Sequence, residues 1–137
     1  MSLLNIFDVA GSGMAAQSAR LNTTASNMAN ADSVSSSEAT AYRAKQPMFS
    51  AVQQQVNGQM ENAGVRAMGV TESQAPVQSR YEPANPMADT NGYVYSSNVN
   101  PVDELVNMIS ASRSYQNNVE VMNSAKQLMQ KTLDLGK

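Results

Sequence analysis

The sequence predicts a mainly α-helical protein with a small β insert. A long helix stands at each end, the two pairing as a coiled coil, around an irregular, β-containing middle. Three observations carry this. Apolar side chains recur in steps of three and four over residues 3–30 and again over 101–134. Between these stretches Pro47, Pro76, Pro83 and Pro86 interrupt any helix. Leu, Ile, Val and Phe together number 24 of 137 residues, against 42 Ser, Asn and Gln. That is thin material for a large independent core. The expected boundaries are 1–31 for the first helix, 32–100 for the middle and 101–137 for the second helix.

The first stripe runs Leu3, Phe7, Ala10, Met14, Leu21 and Met28, with Gln17 and Thr24 in the gaps. At about 1.5 Å per residue the segment is about 40 Å long. Gly11 and Gly13 weaken it, and a kink or break is expected at Gly11-Ser12-Gly13. Asn30-Ala31-Asp32-Ser33 are turn residues that end it. Asp8 and Arg20 are the only charges in the first 31 residues. A solvated helix normally shows a charged face. Here the outer face is Ser, Thr, Asn, Gln and Ala, which can be desolvated without burying unpaired charge.

The middle carries short strand-like pieces at Ala41 to Pro47, Val65 to Thr71 and Gly92 to Tyr95. Asp89-Thr90-Asn91-Gly92 reads as a tight turn before Tyr93-Val94-Tyr95. Phe49, Val52, Val56 and Met60 fit a helix or a strand equally. Ser33 to Ser37 is expected to be mobile.

The second helix has its start written out. Asn100 is a good N-cap, Pro101 suits the first helical position, and Asp103 and Glu104 fit the first turn. Its apolar line runs Leu105, Met108, Tyr115, Val119, Met122, Met129 and Leu133, interrupted by Ser112 and Lys126. Gly136 is placed to end it, and Lys131 and Lys137 suit its C-terminal dipole. At about 50 Å it is longer than a chain of this size is wide when globular. Each stripe exceeds what the small middle covers. The stripes are therefore expected to pair with each other and with neighbouring molecules. Leu3, Phe7, Met14, Leu21 and Met28 on one side, and the seven residues from Leu105 to Leu133 on the other, are the expected assembly interface.

Composition excludes much chemistry. There is no His, Cys or Trp. That removes the Ser/His/Asp triad, the thiol nucleophile, disulfides and Cys/His zinc sites. The carboxylates are scattered, and no spacing suggests a metal or a glycosidase pair. Neither an enzyme, a cofactor nor a small-molecule substrate is expected. A net charge of −2 and the small cluster Arg43-Ala44-Lys45 give no nucleic-acid footprint. No segment is long and apolar enough to span a bilayer, and no basic secretory n-region precedes Leu3. The expectation is a cytoplasmic protein or one exported without a cleaved signal.

Four ordered motifs carry a resemblance. Ser12-Gly13-Met14-Ala15-Ala16-Gln17-Ser18-Ala19-Arg20-Leu21-Asn22, continuing through Asn27 and Asn30, is similar to the N-terminal signature of flagellar rod and hook proteins. Tyr42-Arg43-Ala44-Lys45-Gln46-Pro47-Met48-Phe49 resembles the segment that follows it. Asn85-Pro86-Met87-Ala88-Asp89 with Gly92-Tyr93-Val94 resembles the proximal-rod subclass. Ala111-Ser112-Arg113-Ser114-Tyr115-Gln116-Asn117-Asn118-Val119 is similar to the C-terminal signature. The motif residues singled out are Asn22, Asn27, Asn30, Tyr42, Arg43, Pro86, Asp89, Gly92, Tyr93 and Arg113. Ser96-Ser97 stands where the family has Pro, and a looser loop is expected there.

The resemblance to the flagellar basal-body rod proteins implies a structural subunit of the proximal rod. Such a subunit self-associates helically, transmits torque as a drive shaft across the periplasm and encloses the export channel. It implies export through the flagellar type III apparatus without signal cleavage. Its implied partners are other rod subunits, the membrane ring and the rod adaptor protein. The alternative is a soluble helical adaptor or export chaperone.

Overall fold

The computed structural model describes residues 3–56 and 59–136, with side chains described outside 3–4 and 54–62. Two long helices, α1 (Leu3–Ala29) and α2 (Pro101–Leu135), enclose a β-containing middle. The strands are β1 (Val34–Ser35), β2 (Lys45–Val56), β3 (Gln59–Glu72), β4 (Gln78–Tyr81) and β5 (Tyr93–Ser96). They form two sheets: an antiparallel β2–β3 hairpin and a three-stranded sheet ordered β1-β5-β4.

The helix ends follow the sequence closely. The Asn100 side chain accepts from the Val102 N–H, Pro101 sits at the first position, and Asp103 and Glu104 lie in the first turn. An acceptor and two carboxylates there meet the free N–H groups and the positive end of the dipole. Gly136 closes α2, with its N–H on the Leu133 carbonyl. No basic residue stands in the last turn, so Lys131 falls just short of the expected dipole contact. Lys137 lies outside the described residues.

Three expectations for the local structure are corrected. First, α1 runs unbroken through Gly11-Ser12-Gly13. The tertiary contacts there outweigh the weak propensity. A Cβ at Gly13 would lie 2.8 Å from the Asn118 side-chain nitrogen on α2, so the glycine permits close approach of the helices. Ser12 accepts from the Val65 N–H of β3 and donates to the Val9 carbonyl. Second, the expected mobile stretch Ser33 to Ser37 contains β1, which pairs Val34 with Ser96 and Ser35 with Tyr95. Third, the expected loose loop at Ser96-Ser97 is held firmly. Ser97 is buried, its N–H donates to the Ser33 carbonyl, and its hydroxyl accepts from the Val99 N–H.

The ambiguous residues Phe49, Val52 and Val56 lie in β2 and Met60 in β3. β2 and β3 pair in register from Lys45↔Glu72 to Val56↔Gln59, with shifts at Met48/Phe49 and Val52/Gln53. Such bulges bend and twist a ribbon. Gly64, at φ +137, rests directly on the Ser12 hydroxyl, where a side chain would overlap it. The hairpin thus lies along α1.

The core is small. Its fully buried apolar members are Ala10, Ala16, Ala41, Val94, Ala111 and Ala125. Thr23, Thr24, Asn27 and Ser97 are buried beside them. Alanines allow close helix approach but remove little apolar area from water.

Candidate assembly interface

α1 and α2 run antiparallel against each other. Arg20 Nη2 donates to Asn107 Oδ1 at 3.0 Å, and Gly13 faces Asn118 seven residues earlier on α1 and eleven later on α2. By that register the start of α1 lies opposite about residue 126 of α2. The remaining turns of α2 extend beyond it. The seam is lined by Ala10 and Gly13 on α1 and by Met108, Ala111, Asn118, Met122, Ala125 and Met129 on α2.

That seam differs from the expected line on α2. The covered face runs through Ala111 and Ala125, one position round from the expected positions 112 and 126. Met108, Val119, Met122 and Met129 are half-buried, while Leu105, Tyr115 and Leu133 stand exposed, Leu133 at 66%. On α1, Phe7, Met14 and Leu21 are half-buried and Met28 is exposed. The Leu3 side chain lies outside the described residues. The expected residues are therefore split between the intramolecular seam and the open surface.

Two outward stripes contain, apart from Leu105, residues that the expected line did not name. Val102, Leu105, Val106 and Ile109 are all exposed on the first turns of α2, on the side away from α1. Val121, Leu128 and Leu135 are exposed further along, one heptad apart. The spacing i, i+3, i+4, i+7 was present in the sequence for the first stripe. It was obscured because the neighbouring line through Met108 and Met122 had the longer run.

Two of the motif residues, Asn27 and Tyr42, tie the insert to α1. Asn27 is 1% exposed. Its Oδ1 accepts from the Lys45 N–H at 2.8 Å and the Tyr42 hydroxyl at 3.1 Å, and its Nδ2 donates to the Lys45 carbonyl at 2.8 Å. An amide side chain thereby stands in for a pairing strand at the first residue of β2. Asn98 does the same from the other side, accepting from the Ala44 N–H and donating to the Ala75 carbonyl. Asn30 ends α1, donating to the Ser26 carbonyl. Arg43 reaches the Ala75 carbonyl at 3.0 Å and pairs with Glu38 at 3.5 Å.

A second group shapes the turn before β5. Asp89 Oδ1 accepts from the N–H groups of Asn91 and Tyr93, both at 2.8 Å. Gly92, at φ +82, packs under Tyr81, whose ring meets that of Tyr93 edge-on at 5.3 Å. Pro86 is exposed in the loop between the strands. There Glu82 accepts from the Asn85 side chain, and this bond, helped by Arg80, holds its carboxyl below the usual range. Asn22 and Arg113 are exposed on α1 and α2. Among the described residues no group of three or more His, Cys, Asp or Glu is arranged to hold a metal, and no helix is long and apolar enough to cross a membrane.

The arrangement offers surfaces for assembly. Comparison with known proteins agrees. A family model described as "Flagella basal body rod protein" matches residues 7–35, and one described as "Flagellar basal body rod FlgEFG protein C-terminal" matches residues 90–135. The chain is 56% identical over 138 residues to the flagellar basal-body rod protein FlgC of Salmonella typhimurium, covering 99% of each chain. It is 56% identical over 136 residues to FlgC of Yersinia enterocolitica, again over 99% of each. It is 46% identical over 137 residues to FlgC of Buchnera aphidicola subsp. Acyrthosiphon pisum, over 98% of each.

Proposed function

The chain belongs to the FlgC family of flagellar basal-body rod proteins, and on that premise we propose that it builds the proximal rod through the exposed faces of its two long helices. It is a structural subunit of the basal-body rod, not an enzyme, and it associates with other rod components and with itself. α1 and α2 pair as a coiled coil and form the wall of a helical tube. The tube crosses the periplasm as a drive shaft, transmits torque and encloses the export channel. Its neighbours include the membrane ring and the rod adaptor. The chain reaches its place through the flagellar type III export apparatus, without a cleaved signal.

One observation carries this reading. α2 exposes Val102, Leu105, Val106, Ile109, Tyr115, Val121, Leu128, Leu133 and Leu135, while the only residues it buries fully against α1, among the described residues, are Ala111 and Ala125. Exposed apolar surface on this scale marks an interaction site. Several outward stripes spread load over many small contacts. The rod architecture is tested with Leu105→Asp and Tyr115→Asp. Each is expected to stop incorporation into basal bodies while the chain is still exported. Normal basal bodies and normal motility in both would contradict it. Fractionation separates this reading from a soluble adaptor or chaperone, which would stay small and cytoplasmic.

A further inference from the structure

Each long helix keeps one face that the chain itself leaves open. On α2 it is the side away from α1, where Val102, Leu105, Val106 and Ile109 are exposed. Arg113 continues that line by one turn and, among the described residues, joins no ion pair. On α1 it is the line Ala15, Ser18, Asn22 and Ala25, all exposed, short and uncharged. α2 lies on the Gly13 and Arg20 face of α1, the start of the hairpin meets Asn27 one heptad further along that face, and the rest of the hairpin lies on the adjoining Ser12 side. The open line of α1 lies on the opposite side of the helix, with Asn22 at the rim of a groove that it shares with Lys45, Val70 and Glu72 of the hairpin. Asp8, exposed, is the free charge nearest to it, because Arg20 is engaged by Asn107.

We propose that the outward face of α2 in one copy docks onto the open line of α1 in a second copy, with Arg113 meeting Asp8. The proposal rests on the rod-subunit reading and names one of its contacts. Three features select this occupant. Large branched side chains at i, i+3, i+4 and i+7 fit a surface of short side chains, as knobs fit shallow holes. Val102 to Ile109 and Ala15 to Asn22 cover the same seven-residue span, about 10 Å. With the helices antiparallel, Ile109 over Ala15 carries Arg113 toward Asp8, within reach of its long side chain. The two unpaired charges are of opposite sign, which favours this register and penalises others.

The two faces point away from the α1–α2 seam in different directions, so they cannot meet within one chain. Their contact is head-to-tail, and each copy added leaves one face of each kind free. A heterologous contact of this type propagates an array.

The chain has no cysteine, so introduced ones report cleanly. Full-length Ser18→Cys and Val106→Cys chains are co-expressed in cells lacking the native copy, and purified basal bodies are oxidised. These positions face each other in the proposed register, within disulfide range. The expected result is a disulfide-linked dimer containing one chain of each kind. Its yield falls about tenfold when Arg113→Asp is added, and returns when Asp8→Arg joins it. Basal bodies that contain the chain without this dimer overturn the proposal and leave the rod reading standing. A cross-link from position 106 to a different polypeptide overturns the choice of a second copy. Absence of the chain from basal bodies overturns both readings.

Discussion

α1 and α2 are both long helices with similar apolar spacing, yet they use it differently. α1 is covered on two sides, by α2 and by the hairpin, and it buries polar groups to do so: Thr23, Thr24 and Asn27. Thr23 donates to the Ala19 carbonyl and Asn27 is fully engaged by Lys45 and Tyr42, while Gln17 Oε1 on the same helix is buried without a partner. Among the described residues α2 buries only Ala111 and Ala125, half-buries Met108, Val119, Met122 and Met129, and leaves its leucines and Ile109 exposed. The difference separates two tasks. Within the chain α1 ties the helices to the hairpin, whereas α2 leaves most of its branched apolar side chains exposed.

The sharpest way to break this contrast is to charge α2. Leu105→Asp is expected to abolish rod incorporation while changing the stability of the free chain by no more than about 0.5 kcal/mol. Leu105 is already 47% exposed, so the folded monomer loses little. A combined measurement of basal-body content and urea unfolding checks both halves. Equal loss of stability and assembly would make α2 a core element like α1.

Charging or truncating α1 should act on the fold itself. Asn27→Ala leaves the Lys45 N–H and carbonyl without partners beneath the hairpin. The expected cost is about 2–4 kcal/mol in denaturant unfolding. Hydrogen exchange at Lys45 should rise with it. The seam between the helices gives an intermediate effect. Ala111 is 0% exposed, so Ala111→Leu overpacks the seam and is expected to cost about 1–3 kcal/mol, read as a lowered Tm.

The smallest effect belongs to the loop after β4. The Glu82 carboxyl is held low chiefly by the Asn85 side chain, then by Arg80. Its contribution is therefore present above the ordinary carboxylate pKa and is lost as pH falls through the depressed value. Acid titration followed on the Asn85 side-chain amide signals should show release of that bond, with no change at Ala111. Glu82→Gln should remove the transition.

Much of this organisation was legible in the sequence. The cap at Asn100, the helix ends and the β character of the middle follow from local chemistry, and local chemistry is what a sequence displays. The continuity of α1 was hidden, because Gly13 is chosen for its contact with Asn118, a residue far along the chain. β4 was hidden too. Its residues Gln78–Tyr81 are all exposed, so no alternation marks them, and pairing with β5 alone makes them a strand. The long hairpin had a sequence signal that went unused: the dipeptide Asn57-Gly58 between two runs of strand-forming residues favours a two-residue turn, although these two positions lie outside the described residues. On α2 the periodicity was correct but its phase was off by one position. Apolar residues occur on several faces there, so the pattern does not say which face meets α1.

That ambiguity is also the central claim: α2 has more apolar faces than one chain can cover. Thiol labelling of Leu105→Cys tests it most directly, comparing the free chain with intact basal bodies, provided the variant still assembles; Ile109→Cys serves as the second reporter on the same face. The account predicts rapid labelling in the free chain and strong protection in the rod. Equal labelling of both positions in the two states would contradict it.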